Sequence, residues 1–127
     1  MTTLPETKAC KVNIENEWLT ISFNQPEKRN ALTSELTDDI KNIFDAARDD
    51  LGVRGVTMRG EGGIFCAGGD LKMFKTGFQG GEQGMKDVEE ASALTGAFFD
   101  MINSYPKPVV MLAEGAAMAG GLGMLCA

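Results

Sequence analysis

The chain opens in period two. Lys11-Val-Asn-Ile-Glu15 alternates polar and apolar residues, and Trp18-Leu-Thr-Ile-Ser-Phe-Asn24 does so again, which predicts two half-buried strands. Asn16-Glu17 between them suits a tight hairpin turn, and Gln25-Pro26 stops the second strand. The period then changes. Leu36, Ile40, Ile43, Phe44 and Ala47 recur at spacings of three and four and predict an amphipathic helix. Thr33 or Ser34 caps it, Asp38 and Asp39 complement the dipole of its first turns, and Gly52 ends it. Val53 to Arg59 is the next predicted strand and feeds a glycine-rich stretch. Asp70 to Lys75 reads as a short helix, and Thr76 to Gly84, with four glycines, as a mobile surface segment. A second long helix is expected from about Lys86 to Asn103, with Val88, Ala91, Leu94, Thr95, Phe98 and Ile102 inward. Ser104-Tyr-Pro-Lys-Pro108 breaks it and starts a last apolar strand, Val109-Val-Met-Leu-Ala113, with a turn at Glu114-Gly115.

The order strand, strand, helix, strand, loop, helix, strand, loop is an α/β layout in one domain, with glycines clustered at strand-to-helix exits. Such exits are where α/β folds place ligands. Two clusters stand out, Gly60 to Asp70 and the AAMAGGLG run ending at Gly123. They are expected to face each other and hold one developing negative charge between them, with the free N–H groups of a helix opened by Gly120 and Gly121 contributing. The apolar run from Val109 to Ala127 is not read as a membrane span. Glu114 lies inside it, and a carboxylate there costs roughly 2.5–3.5 kcal/mol even on a lenient insertion scale. Phosphate-loop readings also fail. Gly60 to Phe65 lacks the third glycine of the dinucleotide fingerprint, and Gly69-Asp70 stand where a P-loop needs Lys followed by Ser or Thr.

Composition narrows the chemistry. Hydrophobic residues make up 43% and charged residues 24%, as in an ordinary globular protein, and the net charge of −6 argues against a nucleic-acid partner. There is no histidine, which removes Ser–His and Cys–His nucleophile pairs and His-ligated metal from this chain. Cys10, Cys66 and Cys126 lack metal-ligand spacing and read as reduced thiols of a cytoplasmic protein; no metal site is expected.

Three stretches in this order resemble successive signatures of the enoyl-CoA hydratase/isomerase (crotonase) family. They are FNQPEKRNAL (Phe23 to Leu32), IFCAGGDLKMF (Ile64 to Phe74) and PKPVVMLAEGAAMAGGLGMLCA (Pro106 to Ala127). The resemblance implies a crotonase-like α/β fold of repeated ββα turns and an acyl-CoA thioester as substrate, with no cofactor beyond the CoA it carries. It implies an oxyanion hole of two backbone N–H groups, whose positions fall on Gly69 and Gly120. Lys28 and Arg29 match a basic pair that would meet CoA phosphates. Ala31, Ala67, Gly68, Asp70 and Leu71 match positions along the CoA path, although Asp70 also suits a helix cap. A soluble homo-oligomer, a trimer or hexamer, is the family's habit.

Two departures accompany the resemblance. Hydratases of the family place a glutamate where this chain has Gly123, and a second glutamate would lie beyond Ala127. Gly123→Glu is expected to be tolerated if that position still faces the site. The chain also stops inside the second glycine motif, so residues 1–127 are read as the N-terminal part of a crotonase-like domain. The expected activity is hydration of a 2-enoyl-CoA, with a branched or glutaconyl-type acyl group as one option. The alternatives are double-bond isomerisation, thioester hydrolysis, or a non-catalytic CoA-binding fragment.

Overall fold

The computed structural model describes residues 3–127. Strands β1 (Cys10–Glu15) and β2 (Trp18–Phe23) form an antiparallel hairpin. The expected turn is there: Asn16 and Glu17 both take positive φ, 52° and 64°, the pairing that matches the twist of two short-linked strands. After a 3-10 turn at Pro26–Lys28 comes helix α1 (Ser34–Ala47), whose first turn is capped by Thr33 Oγ1 accepting the Leu36 N–H at 3.2 Å. Strand β3 (Gly55–Gly60) lies parallel to β2. Helices α2 (Leu71–Gln79) and α3 (Gly81–Asn103) follow, then β4 (Val109–Leu112), parallel to β3, and α4 (Gly120–Cys126). The sheet runs β1-β2-β3-β4 in chain order.

The core forms where the two sequence periods meet. Leu19, Ile21 and Phe23 of β2 and Val56 and Met58 of β3 are buried with Leu36, Ile40, Ile43, Phe44 and Ala47, the face predicted for α1. Each fully buried aliphatic or aromatic side chain contributes about 1.5–3 kcal/mol relative to exposure. The crossover back to β4 is pinned to the end of α1 by polar contacts. Tyr105 donates its hydroxyl to the Phe44 carbonyl at 2.6 Å while its ring packs on that of Phe44. The Lys107 ammonium donates to the carbonyls of Ala47 and Asp50, placing a cation at a helix C-terminus. α1 stops at Ala47, five residues before the expected Gly52.

Three expectations are corrected. Thr76 to Gly84 is not a mobile loop: α2 continues to Gln79 and α3 begins at Gly81, five residues before Lys86. The glycines there serve close packing, since a Cβ at Gly84 would overlap the Gly77 carbonyl and one at Gly77 the Val88 side chain. Leu94 is not inward but 71% exposed, and the buried face of α3 is Gly84, Phe98 and Ile102. Asp39 is buried rather than a dipole partner at the surface. Its carboxylate accepts the N–H groups of Lys8 and Ala9 at 2.8 and 2.6 Å and so fixes the segment that enters β1.

Among the described residues no helix is long and apolar enough to cross a membrane. Cys10 and Cys66 are buried free thiols, and Cys126 is exposed. Burial pushes the Cys10 thiol up from 9.0 to about 12, with the Asp39 carboxylate adding to the effect. Folded protein therefore keeps this proton where the unfolded chain loses it, and the resulting stability falls as pH rises from about 9 towards 12. At mildly alkaline pH a thiol reagent is expected to label Cys126 quickly and Cys10 and Cys66 only on unfolding. Equal labelling of all three in folded protein would contradict this burial.

Candidate active site between two glycine loops

The first loop leaves β3 at Gly60 and turns through Gly62 and Gly63, both at positive φ. It then runs extended through Phe65 and Cys66, which are fully buried; the Phe65 ring meets Phe23 edge-on at 5.3 Å. This stretch becomes the middle of a second, minimal ladder. On one side the N–H groups of Phe65 and Cys66 donate to the Ala116 carbonyl, and the Met118 N–H donates to the Cys66 carbonyl at 3.0 Å. On the other side the Ala67 N–H donates to Arg29, and the Leu32 N–H to Gly68 at 2.7 Å. All three signature stretches thus meet in one place.

At the end of this ladder the two glycine loops converge. From the position a Cβ would take on Gly68, the Gly120 nitrogen is 3.3 Å away. From the equivalent point on Gly120, the Gly69 nitrogen and the Gly68 Cα both lie at 3.8 Å. Gly68 has φ +105°, a conformation few side chains tolerate, and its Cβ would press on Ala119 and the Met118 carbonyl. Gly120 is the first residue of α4, so its N–H has no partner within the helix. Among the described residues neither the Gly69 nor the Gly120 N–H has an acceptor. Apolar groups crowd both: Leu32 Cδ1 stands 2.9 Å from the Gly120 Cβ position, and Phe74 Cε2 stands 2.6 Å from that of Gly69. Two unpaired donors set among apolar groups are chemically suited to an oxygen that gains negative charge.

The remaining candidates divide. Arg29, Ala31, Ala67 and Gly68 belong to the ladder or flank it, with Ala31 and Ala67 half-buried. Lys28 and Arg29 present exposed side chains at its rim. Asp70 is taken up by the helix: its carboxylate accepts the N–H groups of Lys72 and Met73 and caps α2. Leu71 is 79% exposed. Burial pushes the Cys66 thiol up, partly offset by a hydrogen bond with the Gly68 backbone, so it stays protonated and is no nucleophile. Glu114 is exposed on its turn.

Two residues escaped sequence reasoning. Asn30 is fully buried and ties the first signature to the Gly60 loop. Its signal was an Asn following two cations in a turn. The second is Phe99, whose ring fills the space beside Gly123: a Cβ there would sit 3.0 Å from Phe99 Cε2 and 3.2 Å from Cζ.

The description of a known family fits the chain from β2 onward. The family model for enoyl-CoA hydratase/isomerase matches residues 18–127. The chain belongs to the enoyl-CoA hydratase/isomerase family. A Bacillus subtilis protein described as "Probable enoyl-CoA hydratase" is 37% identical over 93 residues, covering 73% of this chain and 34% of its own. The crystal structure of an enoyl-CoA hydratase from Polaromonas sp. JS666 superposes with a TM-score of 0.81 at 32% identity, over 93% of this chain and 45% of that one. That of an enoyl-CoA hydratase from Bacillus anthracis gives 0.81 at 26% identity, over 93% and 44%. The fold is therefore crotonase-like α/β, as the sequence led us to expect. This chain spans between a third and a half of the length of these family members.

Proposed function

We propose that this chain carries the thioester-polarising half of an enoyl-CoA hydratase. The Gly69 and Gly120 N–H groups receive the thioester oxygen of a 2-enoyl-CoA, and the carbon distant from the carbonyl becomes electrophilic towards water. The convergence of Gly68-Gly69 with Gly120 is the observation that carries this reading. Preorganised backbone donors suit the task because they need no reorganisation as charge develops. Among the described residues, the Asp70 carboxylate beside the donors is engaged in capping α2, and Glu114 is exposed on its turn. We infer that residues 1–127 act as the N-terminal part of a larger crotonase-like domain, in which a carboxylate from the remainder directs the water. CoA itself is part of the substrate, and no separate cofactor or metal enters. Assembly as a soluble trimer or hexamer belongs to the same reading.

One observation favours a second chemistry. With Phe99 packed beside Gly123, α4 offers no acid one turn after the donor. A reaction needing a single carboxylate, such as double-bond migration, keeps the same polarising pair. Incubation with a 2-enoyl-CoA distinguishes them by mass: both reactions remove the conjugated absorbance, but hydration adds one water to give a hydroxyacyl thioester, whereas isomerisation conserves mass.

The crowding by Phe99 also narrows the expected tolerance of Gly123→Glu. The aromatic ring must give way, and overpacking of this kind costs about 1–3 kcal/mol. Thermal melting of Gly123→Glu with and without Phe99→Leu should show the cost largely relieved in the double variant. An equal loss in both backgrounds would free Phe99 of this role.

Lys28 and Arg29 remain the proposed partners of the CoA phosphates. In the larger domain proposed above, replacing both by Ala should weaken CoA binding by up to about fivefold per charge at low salt, and less at high salt, because exposed pairs are screened. Calorimetric affinities unchanged at both salt concentrations would assign them to solvent alone.

A further inference from the structure

The turn between β2 and α1 contains a buried amide that the chemistry above does not use. Asn30 is fully buried, and its backbone takes φ +51°, next to Arg29 at +55°. Its side chain is saturated in one orientation. Oδ1 accepts the Gln25 N–H at 2.9 Å, and Nδ2 donates to the carbonyls of Glu61 at 3.0 Å and Ile64 at 2.9 Å. A flipped amide would set its oxygen against two carbonyls and its NH₂ against an N–H, so the network itself fixes the orientation.

The residues beside it complete a clamp. The Arg29 carbonyl accepts the Ala67 N–H at 3.0 Å, and the Leu32 N–H donates to Gly68 at 2.7 Å. Asn30 thus grips the near end of the glycine loop at Glu61 and Ile64, while its neighbours grip the far end at Ala67 and Gly68. The next residue along is Gly69. A Cβ on Gly60 would itself reach the Asn30 amide at 3.0 Å, so the loop closes around this side chain.

We propose that Asn30 is the positioning residue for the Gly69 N–H. It touches no substrate. It sets the direction of that donor through the Arg29–Leu32 ladder, so that Gly69 and Gly120 address one oxygen. The inference rests on the oxyanion reading of those two glycines. Glycine at position 30 would accept the backbone angle but make none of the three bonds. Aspartate would keep the bond from Gln25 and turn a carboxylate oxygen onto two carbonyls. A donor displaced by about 1 Å costs on the order of a hundredfold in rate.

The test reads the thioester carbonyl directly. Vibrational difference spectra of 2-butenoyl-CoA, isotopically labelled at the carbonyl, are recorded free and bound to wild type, Asn30→Gly, Asn30→Asp and, as a core control, Ile43→Val. Polarisation by two donors lowers the stretching frequency in wild type and in Ile43→Val. In the larger domain proposed above, Asn30→Gly is expected to bind with a KM within about threefold of wild type, lose most of that shift, and fall about a hundredfold in kcat. Asn30→Asp, which keeps one bond should the glycine variant not fold, is expected to lose the shift at neutral pH. It should recover part of the shift as acid protonates the carboxyl and restores a donor. Asn30→Gly with an undiminished shift and kcat would overturn the inference, as would a loss matched by Ile43→Val in proportion to its stability. If bound wild type shows no shift, the oxyanion reading itself falls, and this inference with it.

Discussion

In the larger domain proposed above, replacing Gly120 by proline is expected to lower turnover of a 2-enoyl-CoA by two to three orders of magnitude while CoA binding is partly kept. The magnitude is that of one oxyanion donor, about 2.7–4 kcal/mol. Gly120 is the first residue of α4, where a helix tolerates proline well because the N–H has no intrahelical partner to lose. The donor is deleted, and proline also acts on Ala119, whose φ of 48° and ψ of −118° lie outside the extended region favoured before proline. Proline also brings atoms towards Leu32, whose Cδ1 lies 2.9 Å from the Cβ position. Gly120→Ala supplies the control for that crowding, since it adds the Cβ and keeps the N–H. The expected order of kcat is therefore wild type, then Ala, then Pro far below both. Comparable losses in the two variants would mean that crowding, not the missing donor, explains the effect.

The second large effect falls one residue on. Gly121 is buried where α4 crosses the first glycine loop, and a Cβ there would overlap the Cys66 carbonyl oxygen and lie 2.9 Å from Cys66 Cβ. Both obstacles belong to a fully buried residue whose carbonyl already accepts the Met118 N–H, so neither can swing aside. Gly121→Ala should lower stability by about 1–3 kcal/mol, the usual cost of overpacking, and push Gly120 away from Gly69. Gly96→Ala is the contrasting case. It stands within α3 with nothing within 4 Å of its Cβ position, so alanine there should raise stability by about 0.5–1 kcal/mol. Denaturant midpoints moving in opposite directions would establish that contact, not glycine content, governs these sites. A shift of the same sign in both would contradict it.

How much of this was legible before the structure depended on whether the cause was local. The hairpin at Asn16-Glu17, the α1 face and the Thr33 cap are written within a few residues of where they act, and each took its expected place. The glycine loops were legible as loops because small residues clustered at two strand exits. The helical hairpin of α2 and α3 was misread because Gly77 and Gly84 look like breakers when each is considered alone. They are helical because they face each other, a pairing across seven residues that propensity does not encode. Leu94 fitted the period of α3 and is nevertheless exposed, because the part of that helix packed on the core is confined to its last turns. Asn30 and Asp39 were hidden for a related reason. Each is a buried polar side chain that bonds to residues about thirty or more positions away, both partners for Asp39 and two of three for Asn30, so sequence offered a turn and a dipole where the fold uses a clamp and an anchor.

The most direct measurement of the central claim is a crystal structure of this chain with a 2-enoyl-CoA or a saturated, unreactive analogue bound. The account predicts the thioester oxygen between the loops, about 2.7–3.1 Å from both the Gly69 and the Gly120 nitrogen. A thioester oxygen bound elsewhere, or held by one of these nitrogens alone, would contradict it.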